Sequence, residues 1–246
     1  MAKKDESQGA ALLKAVERIV DSPAKIQARV DETVEWARGK LPDDASSDEI
    51  RGSVERQLIS HYSNRTAIAG GASALPGLVP GLGSVTALVG GGLLDMTLCL
   101  KYEVEMVLAL ASLRGYDIED ARERQLAYLL AAAHTYEATG GRNPLPDLVK
   151  TEIDAVWHYT PRQLAKLVGS MFVRLALMLA GRGLTRAIPF VGMVVSSAAN
   201  KTLTSRVGKS IIKALDQRAA ARKGKAESKP KPARAARKGA KVKRRA

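Results

Sequence analysis

An all-α protein is the fold class this sequence predicts, and three observations carry it. Ala and Leu dominate an apolar fraction of 46%, only ten of the 246 residues are aromatic, and no window alternates apolar with polar residues between turn signals. An Ala/Leu core favours helices that approach closely over sheets filled by rings. The expectation is a single compact helical bundle of seven to nine helices with a glycine-rich central hairpin and a disordered C-terminal tail. Residues 1–9 read as a flexible N-terminus, 10–222 as the helical domain and 223–246 as the tail.

The elements follow in order. Leu12, Leu13, Val16, Ile19 and Val20 fall at helical spacing in residues 10–20. Ser22 and Pro23 then read as a cap and first-turn pair for a helix that stops at Gly39, with Pro42 beyond it. Ser46 and Glu49 form a capping-box pattern ahead of Ile50, Val54, Leu58 and Ile59. From Thr66 to Leu94 no charge occurs for 29 residues, and eight of the 21 glycines lie there with Pro76 and Pro80. That stretch cannot be one straight helix. It reads as a helix end near Ala74, a turn over 75–83 and a new helix from about Ser84 to Leu113, closed by Gly115. Asp117 reads as the cap of a helix from Ile118 to Thr139. A further helix is expected over 148–157, one from Thr160-Pro161 to Ala180, and a long last one from about Gly192 that fades past Arg218.

The charge is segregated. Residues 217–246 hold 13 Lys/Arg against one acid, whereas residues 1–216 hold 26 against 24. A nearly neutral body gives no ground for a broad basic nucleic-acid face; the high pI belongs to the tail. The tail cations are Arg222, Lys223, Lys225, Lys229, Lys231, Arg234, Arg237, Lys238, Lys241, Lys243, Arg244 and Arg245. Between them lie mostly Ala, Pro and Gly, too little apolar surface to offset ordering entropy. Such a segment attracts anionic lipid or the phosphates of nucleic acid without reading sequence. The lone cysteine, Cys99, excludes a disulfide framework and suits a reducing cytosol. The polar start, Met1 to Gly9, is no secretory signal.

Two stretches share the pattern aliphatic-Pro-x-x-Gly ahead of a small-residue helix: Val79-Pro80-Gly81-Leu82-Gly83 and Ile188-Pro189-Phe190-Val191-Gly192. Proline fixes the entry angle and the small faces permit close packing, so these helices are expected to pair through Gly83, Gly90, Gly91, Gly92 and Gly192. Here the sequence resembles the bacterial EcsC family. Its glycine-rich segment is similar to 69–92 with Gly70 and Gly71, and Asp95 falls where a family Asp follows. Leu113-Arg114-Gly115-Tyr116-Asp117 resembles a family helix junction, with Arg114 where an aromatic is common. Pro189, Gly192, Asn200 and Thr204 are similar to its C-terminal signature. The resemblance spans roughly residues 50–215. It implies a protein of unassigned activity, linked to an ABC transporter system through the operon that names the family. Motif positions carry over, roles do not.

Known chemistries fit poorly. Gly208-Lys209-Ser210 resembles the end of a phosphate loop, but Leu203 stands where its first glycine is required. His134 with Glu137, and Asp154 with His158, put paired ligands on a helix face without the further carboxylates a metal bundle needs. No metal and no cofactor is expected. Asp95 is the candidate catalytic group, in an apolar helix where a carboxylate is costly unless bonded; bonding loose backbone amides at a proline-broken turn is the structural alternative. Glu103 lies about 80° around from it, so the two make no ready acid–base dyad. Gly81–Leu100 is 20 residues long with Asp95 its single charge, about a bilayer core in length. A central Asp costs roughly 2.5–3.5 kcal/mol to insert, and the triple glycine weakens the helix, so burial as the bundle's hairpin, with reversible lipid contact as the other course, is expected over a span. The function these features predict is that of a non-enzymatic, cytoplasmic, membrane-peripheral or scaffold protein binding anionic lipid or a protein partner. The alternatives are a hydrolase working around Asp95 and a nucleic-acid-associated protein acting through the tail.

Overall fold

The structure, a computed structural model, describes residues 2–72, 94–138, 159–182 and 189–227, with the side chains of 9–69, 96–137, 159–178 and 198–220. Among the described residues there are seven helices and no strand: α1 (Ala2–Ile19), α2 (Pro23–Arg38), α3 (Ser47–Ala72), α4 (Leu94–Ser112), α5 (Ala121–Ala138), α6 (Pro161–Arg182) and α7 (Pro189–Glu227). The bundle is all-α, as composition predicts.

Helix α4 is the centre. It touches α1, α2, α3, α5 and α7, and α3 lies along α7, while α6 packs on α1 and α5. Its sequence explains the position. Leu98, Cys99, Leu100, Val104, Met106, Val107, Leu108, Ala109 and Leu110 are buried around its whole circumference, the pattern of a helix with no solvent face. By contrast α2 buries only the stripe Ile26, Val30, Thr33 and Ala37. The alanines Ala131, Ala132 and Ala133 let α5 sit against its neighbours without large side chains between them.

The caps follow the sequence closely. Ser22 Oγ accepts from the Lys25 amide at 3.5 Å, with Pro23 in the first turn. Glu49 Oε2 accepts from the Ser46 amide at 2.8 Å while Ser46 Oγ accepts from the Glu49 amide at 3.2 Å, a reciprocal capping box. Thr160 and Gln163 repeat the device ahead of α6, at 2.8 and 3.4 Å. At the end of α4, Gly115 takes φ +74°, and the Tyr116 amide reaches back to the Ala111 carbonyl at 3.1 Å while the Gly115 amide reaches Ser112 at 2.8 Å. This double bond is a Schellman motif and needs a left-handed residue at its turn.

Several boundaries differ from the sequence expectation. Helix α1 starts at Ala2, inside the stretch read as a flexible N-terminus. Helix α5 starts at Ala121 rather than Ile118, because its cap is Asp120, whose Oδ1 accepts from the Arg122 amide at 2.7 Å. Asp117 instead closes a local turn, accepting from the Glu119 amide at 2.9 Å. Helix α7 opens at Pro189 rather than Gly192, since proline suits a first turn, and it runs to Glu227, through the first residues of the expected tail. Alanine, lysine and arginine at 219–226 are strong helix formers, which accounts for the extension. The 75–83 turn, the helix start at Ser84, the 148–157 helix and residues 228–246 lie outside the described residues.

Candidate functional site

Two constellations stand out from the packing. The first fastens the C-terminal helix at the point where the charge changes. Arg218, 8% exposed, donates from both terminal nitrogens to Glu123 of α5, at 2.5 and 2.6 Å, and its guanidinium lies 3.9 Å from the ring centroid of Tyr116. A bidentate fork with a stacked ring is specific to arginine. Two residues before Arg218, Asp216 accepts from Arg114 Nη2 at 3.0 Å, and the same nitrogen lies 2.7 Å from Glu55 Oε1 of α3, the latter contact without hydrogen-bond alignment. The junction Leu113 to Asp117 thus acts structurally: Gly115 turns the chain, and Arg114 and Tyr116 grip α7. Beyond Arg218 the helix continues to Glu227, roughly 13 Å at 1.5 Å per residue.

The second constellation is buried. Glu103 of α4 is 0% exposed, and its two oxygens meet the hydroxyls of Thr135 on α5 and Thr204 on α7, the latter at 3.2 Å. Burial pushes its carboxyl up to about 7, against the pull of hydrogen bonds from the two hydroxyls. Glu105, two residues on, is the contrast. Burial raises it as well, but Lys101 Nζ at 2.5 Å and the Asp21 amide at 2.8 Å bond it, so it ties the α1–α2 turn to α4.

Among the clefts of the described residues, two meet at Asp21 in the α1–α2 turn. One of about 550 Å³ opens between the α1–α2 turn, α4, α5 and α6, where Glu17, Asp21, Arg124, Gln125 and Tyr128 edge an apolar floor that includes Leu13 and Leu108. The other, about 240 Å³, lies between α2 and α3 and holds His61, Tyr62, Arg29 and Arg65. Burial, then Arg65 and Arg29, lowers His61 to about 4, so its ring is neutral near pH 7. Neither cleft sets a nucleophile against a base.

The sequence-selected residues fall as follows. Asp95 lies in α4, Gly70 and Gly71 in α3, and Pro189 and Gly192 in α7, but the surroundings of all five lie outside what the structure describes. Pro80, Gly83, Gly90, Gly91 and Gly92 lie outside the described residues altogether, as do Asp154 and His158, so the expected close pair is not on view. Close approaches do occur elsewhere. A Cβ on Gly208 would come within 2.8 Å of Ile59 and 3.0 Å of Met106, and one on Gly9 within 2.6 Å of the Val173 backbone. Gly208-Lys209-Ser210 is therefore a packing site of α7 on α3, inside a helix rather than at its start. Asn200 is half-buried on α7, and Arg222, Lys223 and Lys225 stand on its final turns. His134 Nδ1 lies 3.6 Å from Glu137, and among the described residues no three potential ligands converge on a metal. No helix among the described residues is long and apolar enough to cross a membrane.

No family model, curated protein or solved structure matches the chain.

Sequence reasoning weighed Glu103 only as a dyad partner for Asp95 and set it aside on angle, without foreseeing its burial. The signal for burial was the row Leu100, Glu103, Val107 and Leu110, which places the carboxylate on an apolar helix face.

Proposed function

We propose that this chain is an EcsC-like, non-enzymatic protein that works at the inner face of the cell membrane, its helical body holding a cationic arm against anionic lipid. The observation that carries the reading is charge segregation: 13 Lys/Arg against one acid in 217–246, on a body with 26 against 24. Near an anionic membrane each such cation contributes about 1 kcal/mol, so a cluster suffices for reversible attachment. The Arg218–Glu123 and Arg114–Asp216 contacts support it, because they root the arm on the body at α5 and at the turn that follows α4. The EcsC-like glycine-rich segment and the two Pro-x-x-Gly helix entrances add the family resemblance, and with it a link to an ABC transporter system.

The test is vesicle co-sedimentation with full-length protein and with a variant whose nine Lys/Arg in 229–245 are replaced by Gln. Vesicles containing phosphatidylglycerol should retain the first and release the second, and neutral phosphatidylcholine vesicles should retain neither. Equal retention of both proteins would sink the reading. A preference for duplex DNA over anionic vesicles at matched salt would favour the nucleic-acid alternative.

A further inference from the structure

Two helices bring polar side chains to one apolar floor beside the α1–α2 turn. Spacings of three and four residues put Ala121, Arg124, Gln125 and Tyr128 on one face of α5. The same spacings put Leu13, Glu17 and Val20 on one face of α1. These faces meet over Leu108 of α4 and Val168 of α6, and together they border the cleft of about 550 Å³. That is the size of a small-molecule site, and an apolar floor edged by a few polar groups is the makeup such sites share.

The acceptors at this edge are unmet. Gln125 Oε1 is screened from solvent and accepts no hydrogen bond, a costly state for a carbonyl oxygen. The side chain of Glu17 makes no hydrogen bond or ion pair with a described residue. Partial burial raises its carboxyl, and no cation pulls it back. Asp21 at the rim differs, with Lys25 at 3.7 Å and Lys101 at 4.0 Å. An anionic acceptor and a neutral one are therefore left, and no described donor bonds either. Donors are present too, since burial and then the Glu17 charge keep the Tyr128 hydroxyl protonated, and Arg124 stands at the opening. Arg124 is exposed and keeps its water, however, whereas Gln125 Oε1 has none to turn to.

We propose that this cleft binds a small amphipathic amine, its protonated nitrogen held by Glu17 and Gln125 and its apolar body lying on Leu13, Leu108 and Val168. An ammonium group brings several donors and the missing positive charge at one point. Arg124 at the opening repels a second cationic centre, which favours a monoamine over a polyamine. The inference goes beyond the lipid-binding reading and does not depend on it, because a cationic arm repels an amine.

The experiment is an amide NMR titration of the full chain with n-octylamine, n-octanol and octanoate, which share one chain length and differ in head group. It is run at about pH 8, above the carboxylate range and below that of the amine. Octylamine should shift the amides of Glu17, Gln125 and Val168 to saturation, and octanol should bind there at least about tenfold more weakly. Octanoate attracted to the arm should leave those amides in place. Absence of a saturable octylamine shift, equal affinity for amine and alcohol, or tighter octanoate at these amides overturns the proposal. Glu17→Gln should erase the preference for amine over alcohol, and Gln125→Leu should weaken octylamine while sparing octanol. Glu35→Gln, the same charge change on the exposed side of α2, should alter neither. A preference that survives Glu17→Gln, or that falls equally in Glu35→Gln, refutes the assignment of the ammonium site. Ala165 is exposed at the wall of the cleft, so Ala165→Phe fills the space without overpacking the core. It should block both octylamine and octanol, and octylamine shifts that persist in it place the amine elsewhere and overturn the proposal.

Discussion

Arg218 and Gly115 show how single residues set the exit of the C-terminal helix. Arg218 is nearly buried against Glu123, itself largely covered, with side-chain exposures of 10% and 15%. Removing one partner of such a pair leaves the other charge uncompensated. Glu123→Ala should destabilise the protein by about 2–4 kcal/mol, somewhat below a fully buried pair because some solvent remains. Arg218→Lys should restore only part of what Arg218→Met loses, since lysine lacks the fork and the planar stack on Tyr116. Urea denaturation of the set measures both, and equal stability of the lysine variant and the wild type would show that charge alone matters. At Gly115 the space available to a side chain matters less than the backbone. Nothing lies within 4 Å of an added Cβ, yet φ is +74°, so Gly115→Ala should cost about 1–2 kcal/mol through backbone strain alone. Gly115→Asn should cost less, because asparagine tolerates the left-handed region. The sequence made this glycine legible, placed just after a helical run. It did not reveal that Arg114 and Tyr116 beside it grip α7, because both partners are about a hundred residues away.

Helices were legible where their ends are marked by local chemistry. Ser22-Pro23, Ser46 with Glu49, and Thr160-Pro161 all sit where the sequence places them, because a cap is a contact within three residues. Boundaries slipped where two candidates compete, as with Asp117 and Asp120, or where good helix formers simply continue, as beyond Arg218. Close approach between helices was legible in kind but not in place. Small residues announce it; which glycine meets which neighbour depends on the packing of α3 on α7 and α1 on α6. Gly208 and Gly169 make the comparison direct. Both are helical, but a methyl at 208 would collide with Ile59 and Met106, whereas one at 169 meets nothing within 4 Å. Gly169→Ala should stabilise by up to about 1 kcal/mol through helix propensity. Gly208→Ala should destabilise by about 1–3 kcal/mol through overpacking, despite the same propensity gain. Thermal melts that move together in the two variants would refute the close contact.

At the scale of the molecule, a nearly neutral bundle carries a helix whose character changes along its length. Up to Arg218 it packs on α3, α4 and α5; past that point its sequence is dominated by cations. The sequence showed this division in full, because charge counts need no tertiary information. It could not show the fastening of the arm, nor the buried Glu103 that binds the same helix from inside, since both rest on side chains brought together from distant segments. The division predicts two separable behaviours. Replacing the nine Lys/Arg of 229–245 by Gln should leave the thermal midpoint within a few degrees, because those residues lie beyond the clamp at Arg218. The same change should abolish the steep salt dependence of binding to anionic vesicles. In the wild type, affinity should fall sharply between roughly 50 and 200 mM salt, as exposed cations are screened and their counterions return. Truncation at residue 216 would not be an equivalent experiment, since it removes Arg218 and leaves Glu123 without its partner; a cut after Glu227 preserves the clamp. Retention of the neutralised variant on vesicles at high salt would move the attachment from the arm to the apolar surface of the body.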